Sequence, residues 1–450
     1  METMAREPNA RIAISPIERL TGPFARFARM EASGGILLLL CTVLALAWAN
    51  SPWGDSYHHF WDTPMSIGFG RVLVSETRHF WIDDCLMAIF FFLVGLEIKR
   101  EVLIGELSSI KRAAFPLMAA VGGSAVPAVL YLLLNPAGGA QRGWGIPMAT
   151  DIAFALGVLA LLGDRVPAAL KVFVVALAIV DDILCVLVIS IFYTDQVWLI
   201  YLWMALAGLA VSCLVNWAGV RHPLVYAGIS VLVWVAVLKS GVHATIAGVL
   251  MAFTIPSKTS LDRAEFLERS RSFLDRVESA AKHSSAEHDA IHGLELQCEL
   301  VQSPLHRIEH RLQPWVSFFI MPLFALANAG VHFPEQLLPT ATHPVALGVF
   351  LGLLIGKPLG ITSASWLAAR AGIAAQPSGV SWKQLMGAAW LCGIGFTMSL
   401  FVAGLAFGDG RLLDLSKIGT LAASLLAGFG GAMSLRRSCP RENASESGPS

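Results

Sequence analysis

The sequence predicts an all-α polytopic membrane protein. Hydrophobic residues make up 55% of its 450 positions and charged residues only 14%. A soluble domain carries about 25% charged residues, so most of this chain is suited to lipid. Apolar runs of spanning length recur along it. In the middle of one of them, between Ala168 and Phe192, Asp181 and Asp182 stand side by side. A carboxylate at the centre of a spanning helix costs roughly 2.5–3.5 kcal/mol on insertion scales, and ionisable groups at that depth mark ion or proton pathways. The expected cargo is a cation.

The apolar runs fall at 34–50, 81–98, 113–134, 146–163, 168–193, 197–218, 223–239, 241–256, 314–331, 344–368, 384–408 and 417–435. Each approaches the length that crosses a bilayer core. Five arginines precede the first run, as in a secretory signal. The polar stretch 1–33 exceeds the roughly 15–30 residues of a whole signal peptide, so the first run reads as an uncleaved helix. Twelve spans place both termini on one side. Lys99, Arg100, Lys111, Arg112 and the basic residues of 257–313 gather on that side, whereas the connections 194–196 and 332–343 carry no Lys or Arg. The positive-inside rule makes that side cytoplasmic.

The remaining segments follow from this topology. Residues 1–33 form a cytoplasmic N-terminal segment, 34–256 hold spans 1–8, and 314–435 hold spans 9–12. In the outside loop 51–80, Thr63–Phe69 and Arg71–Ser75, joined at Gly70, have the make-up of a hairpin. The cytoplasmic loop 257–313 includes a polar stretch whose weak apolar stripe (Phe266, Phe273, Val277) suits a solvated helix pair. The tail 436–450 reads as disordered and cytoplasmic. Seven cysteines without a C-x-x-C spacing read as small apolar residues rather than a disulfide or metal framework. Nothing calls for a cofactor, and a net charge of zero argues against nucleic acid.

Two spans are interrupted. Pro147 stands just before Thr150 and Asp151 in the fourth, and Gly393-Ile-Gly-Phe-Thr397 breaks the eleventh. Broken backbone at membrane depth survives where it lines a cavity. Paired interruptions in corresponding halves point to inverted repeats, here spans 3–5 and 10–12, with the binding site between them. Asp151 lies about 13 residues before the turn near Asp164, and Asp182 about 16 after it. At ~1.5 Å per residue, both sit roughly 20–24 Å from the same membrane face. Lys357 lies near the centre of span 10. Three carboxylates and one ammonium thus share the midplane.

One lysine neutralises one aspartate, so a purely structural salt bridge leaves the other carboxylates unexplained. Neighbouring residues on a helix point about 100° apart, so one of Asp181 and Asp182 can face Lys357 while the other faces a cavity. Desolvation and like-charge crowding favour the protonated form of a carboxylate. Such a group holds either a proton or a hard cation through its oxygens, and that competition is exchange. Thr150 adds a hydroxyl, and half-helix ends add dipoles. His243 opens span 8. Glu97, Arg100 and Glu101 end span 2, and Arg307, Glu309 and His310 precede span 9 on the same side, a gathering suited to electrostatic pH sensing.

These residues resemble the NhaA family of sodium/proton antiporters. The match runs through Phe91–Glu101, Ala149–Val158, Ala176–Asp182, Lys239–Gly248, Phe324–Val331, Ile355–Ile361 and Leu391–Ser399, in unbroken order over about 34–435. The resemblance implies twelve helices in which spans 4 and 11 cross as discontinuous helices. Inverted repeats are already described for this family, so that expectation is not independent. It implies that Asp182 is the principal sodium and proton carboxylate, with Asp151 and Thr150 beside it, and that Asp181 pairs with Lys357. It assigns His243, Glu97, Arg100, Glu309 and Arg307 to a pH-response region. It further implies electrogenic exchange of cytoplasmic Na⁺ or Li⁺ for external H⁺, a homodimer, and a place in the bacterial inner membrane. Gln313 stands where the family pattern often carries a histidine, and the 257–303 segment is longer than in the best-known members.

Three other readings compete. A sodium-coupled solute symporter shares broken helices but needs a polar cavity for its solute. An intramembrane aspartyl protease needs a carboxylate dyad, which Lys357 would disrupt. A cation channel with a carboxylate filter would be repelled by the same lysine.

Overall fold

Leu39, Leu40, Val43 and Leu44 face outward from the first helix, α1 (Ser33–Ala49), while Leu38, Ala45 and Ala49 are buried. Such an apolar outer surface in water would drive aggregation; in lipid it is the expected solvent-facing side. The computed structural model describes residues 33–439 except 70–71, 195, 260, 280–283, 333–338 and 341. The expectations for 1–32 and for 440–450 lie outside the described residues.

After α1 the chain turns through 113° into the short α2 (Gly54–Asp62). The expected hairpin follows: β1 (Pro64–Phe69) pairs antiparallel with β2 (Val72–Thr77), Phe69 opposite Val72. The described strands stop at Phe69 and resume at Val72, and the expected turn at Gly70 lies outside the described residues. A helix starting at Arg78 passes through a π turn at Trp81–Leu86 into α3 (Met87–Ile104). It outruns the expected end at 98 because Lys99, Arg100 and Glu101 form helix well, although hydropathy discounts them.

α4 (Ile110–Leu134) contains Pro116 and Pro127 and leads to a 3₁₀ stretch at Gly139–Met148. The chain is non-helical at 149–151, then forms α5 (Ile152–Leu162) and α6 (Ala168–Phe192). α7 (Leu199–Trp217) buries only Ala205 and Ser212. α8 (Pro223–Ser240) ends at Gly241, whose φ of 83° lies in the left-handed region. That turn consumes the start of the expected eighth span, so α9 (Thr245–Thr254) has only 10 residues. At ~1.5 Å per residue it covers about half the hydrocarbon core.

α10 (Arg263–Ser279) and α11 (Ser285–Val301) form an antiparallel pair, closed where the Leu261 amide donates to the Leu300 carbonyl at 3.2 Å. α12 (Pro304–Trp315) continues through a π turn at Val316–Ile320 into α13 (Met321–Asn328). The helix thus begins well before the expected 314, because its first turns are amphipathic and carry charge. α14 (Pro344–Leu351), a π turn at Gly352–Gly356 and α15 (Lys357–Arg370) make one long helix. α16 (Trp382–Cys392) and α17 (Phe396–Phe407) meet at 46° across a break at 393–395. α18 (Arg411–Ser438) carries regular helix into the segment read as a disordered tail, and Cys439 is buried beside Gln384.

Among the described residues, seven helices are long and apolar enough to cross a bilayer by themselves, or up to nine with each bent pair taken as one span. The centre is held by the crossing of α4 and α15. A Cβ on Gly122 would fall on the Gly360 carbonyl, and one on Gly360 would fall on the Gly122 carbonyl. Small residues let helix backbones approach closely in lipid. Gly360→Val is therefore expected to destabilise the fold by about 1–3 kcal/mol or more, read as a lower melting temperature of purified protein. An unchanged melting temperature would mean that the crossing tolerates a side chain.

Candidate functional site

The two breaks meet. The Asp151 amide donates to the Ile394 carbonyl at 2.7 Å, and the Thr150 hydroxyl donates to the Cys392 carbonyl at 2.9 Å. Other backbone groups freed at the breaks find side chains: the Met148 carbonyl accepts from Lys357, the Phe396 amide donates to the Ser424 hydroxyl and the Thr397 amide to Asp151. This is the condition for non-helical chain inside a bilayer. Asp151 caps α5, its Oδ1 accepting from the Phe154 amide at 3.0 Å. Its Oδ2 accepts from both the amide and the hydroxyl of Thr397, at 3.1 and 2.5 Å. Thr397 lies in the first turn of α17, so the positive ends of two half-helices converge on one carboxylate.

Asp181 and Asp182 diverge, as adjacent residues on a helix must. Asp181 Oδ2 lies 2.7 Å from Lys357 Nζ, and its Oδ1 accepts from the Ser124 hydroxyl at 3.1 Å. Lys357 also donates to the Met148 carbonyl, which ties α15 to the chain just before the first break. Asp182 is equally buried, 1% exposed, yet its Oδ1 has no hydrogen-bond partner. Buried carboxylate oxygens are ordinarily bonded, so this one asks for a ligand.

A cavity of about 500 Å³ is lined in part by Asp182. Asp182, Asp151, Thr150 and Thr397 line its inner part, which brings together three of the five midplane residues expected from sequence; Asp181 and Lys357 stand outside its lining. Its wall also includes Glu97, Arg100, Glu309, His310 and Gln313. There Arg100 lies 2.6 Å from Glu309 and 3.3 Å from Glu101, whose other oxygen caps the Glu106 amide at 3.0 Å. Burial pushes the Glu309 carboxyl above its ordinary range, and Arg100 opposes that rise. Arg307 is on α12 but not in the cavity wall.

His243 stands apart from this group. Its Nε2 is 2.9 Å from the carbonyl of Tyr193, at the end of α6 beyond Asp182 and away from Pro167. Sequence reasoning did not assign roles to Thr397 and Ser124. Thr397 belongs to the Gly393–Thr397 break and was within reach of a motif argument; Ser124 sits among small residues of α4 and gave no signal.

The chain is similar to known proteins over most of its length. A family model described as Na⁺/H⁺ antiporter 1 matches residues 25–435. A Na⁺/H⁺ antiporter NhaA of Koribacter versatilis is 61% identical over 94% of this chain and 93% of its own. One from Oleidesulfovibrio alaskensis is 50% identical over 94% and 96%, and one from Syntrophobacter fumaroxidans 47% over 91% and 89%.

Proposed function

The chain belongs to the Na⁺/H⁺ antiporter 1 family, and from that premise we propose that it exchanges Na⁺ or Li⁺ for H⁺ through Asp182 and Asp151. It is a transporter and not an enzyme. The observation that carries the reading is the division of labour between adjacent aspartates. Asp181 is neutralised by Lys357, while Asp182 lines the cavity and keeps a buried oxygen without a hydrogen-bond partner.

An alkali cation is a hard ion that takes oxygen ligands. Asp182 and Asp151 supply charge, and Thr150, Thr397 and water supply further oxygens. The same carboxylates take a proton in the absence of the cation. One occupant therefore expels the other, and proton influx drives cation efflux. The crossing supports this by holding Asp151 on backbone and hydroxyl donors, so the site keeps its shape when the cation leaves. Thr397→Val removes one charge-assisted hydrogen bond, worth about 1.5–3 kcal/mol. It is expected to raise the half-saturating Na⁺ concentration about tenfold or more; an unchanged value would remove Thr397 from the site.

In this proposal the chain crosses the bacterial inner membrane twelve times, with both termini cytoplasmic. Spans 3–5 and 10–12 are inverted repeats, and the β1–β2 hairpin joins two copies in a homodimer. The Glu309 end of the cavity then faces the cytoplasm. More than one proton per cation makes exchange electrogenic, with each net charge worth about 2.3 kcal/mol per 100 mV.

Exchange is regulated by pH through Arg100, Glu101 and Glu309, with Glu97, Arg307 and His310 beside them and His243 at the opposite face. Glu309 titrates above its ordinary range and loses its proton as pH rises, which completes the ion pair with Arg100. Arg100→Gln removes the opposing charge and raises the Glu309 pKa further, so the activity profile is expected to move toward alkaline pH. A profile that stays in place would exclude this pair from regulation.

The deciding assay is proton movement in everted vesicles on adding Na⁺, Li⁺ and then K⁺. Collapse of the pH gradient by Na⁺ and Li⁺ but not K⁺ is expected. Silence toward all three, from folded protein, would overturn the reading.

A further inference from the structure

The outer part of the same cavity holds a second orphan. Glu309 is 5% exposed, and its Oε1 is taken by Arg100 at 2.6 Å, yet its Oε2 is buried without a hydrogen-bond partner. Glu309, Gln313 and Ser317 follow one another at intervals of four along α12 and the π turn after it, and all three line the cavity. Side chains four apart lie on one helix face, so this stripe is a line of oxygen donors leading inward. Across the cavity, α3 contributes Glu97. In this part of the wall Arg100 and His310 stand beside the carboxylates Glu97 and Glu309, and Arg100 is bonded to only one oxygen of Glu309.

We propose that Glu309 Oε2, with the Gln313 amide oxygen and Glu97, forms a waiting site for a monovalent hard cation, occupied before the ion moves on to Asp182. The proposal rests on the exchange reading above and extends it from one cation position to two. The chemistry suits it. An amide oxygen and carboxylate oxygens replace part of a hydration shell without demanding full dehydration, and the ion meets the stripe before the midplane. A histidine at 313 would offer a ring nitrogen to a hard cation, whereas glutamine offers an oxygen. The site also gives a reason for the unpartnered oxygen that an Arg100–Glu309 ion pair alone leaves unexplained.

Equilibrium binding of radioactive sodium to the purified full-length protein tests this independently of transport. Wild type is expected to show two saturable sites and Asp182→Asn to keep one. Adding Glu309→Gln to Asp182→Asn should weaken the remaining site at least about tenfold. Adding Gln313→Leu instead should do so while leaving the Arg100 pair intact, which covers the case in which loss of that pair unfolds the mouth. Wild type with one site that vanishes in Asp182→Asn overturns the proposal, as does residual binding indifferent to both added changes. Residual binding lost with Glu309, in a protein without exchange activity, would sustain the waiting site and sink the exchange reading. Wild type that binds no sodium sinks both.

Discussion

Asp182→Asn is expected to abolish cation-dependent proton movement in everted vesicles while leaving the protein folded and inserted. An amide neither ionises nor carries a proton in exchange, so both halves of the cycle stop. The fold should not suffer, because Asp182 Oδ1 makes no hydrogen bond and removing a buried charge relieves desolvation. Asp181→Asn serves as the contrast, since it strikes the neighbouring residue and leaves the cavity's own carboxylate in place. Sodium-dependent proton flux surviving in Asp182→Asn would place the exchanging carboxylate elsewhere.

Lys357→Met is expected to act mainly on stability. It leaves Asp181 buried at 2% exposure with its charge uncompensated and only the Ser124 hydroxyl as partner. Removing one member of a buried ion pair typically costs about 3–5 kcal/mol, whereas replacing both with apolar groups is often neutral. The single variant should melt well below wild type, and Asp181→Asn together with Lys357→Met should recover most of the loss. Equal melting temperatures for all three proteins would mean that the pair holds nothing together. Exchange in the recovered double variant would show that the Asp181–Lys357 pair is structural; its absence would show that the pair also takes part in the cycle.

These outcomes separate two aspartates that hydropathy alone presents as equals. Their presence at membrane depth was plain from composition, because a charge inside an apolar run stands out whatever surrounds it. The break at Pro147–Asp151 and the glycines before Thr397 were legible for the same reason, since proline and glycine act on their own backbone. Helix ends were less legible. α3 and the α12–α13 helix extend through charged turns that hydropathy assigns to loops, and α9 is shorter than its apolar run because the left-handed turn at Gly241 consumes the start.

What the sequence by itself determined is local: which stretches are apolar enough for lipid, where helices break, and which ionisable groups lie deep. What only the tertiary structure decided is pairing. By helix geometry alone Lys357 could have met either aspartate, although the family resemblance implied Asp181. The choice of Asp181 follows from the close passage of α4 and α15 at Gly122 and Gly360, which brings Ser124 and Lys357 to the same carboxylate. Thr397 comes to Asp151 only because two breaks 246 residues apart bond to each other across the core. A side chain's direction depends on how its helix is rotated against its neighbours, and that rotation is set by packing over the whole bundle rather than by any one segment.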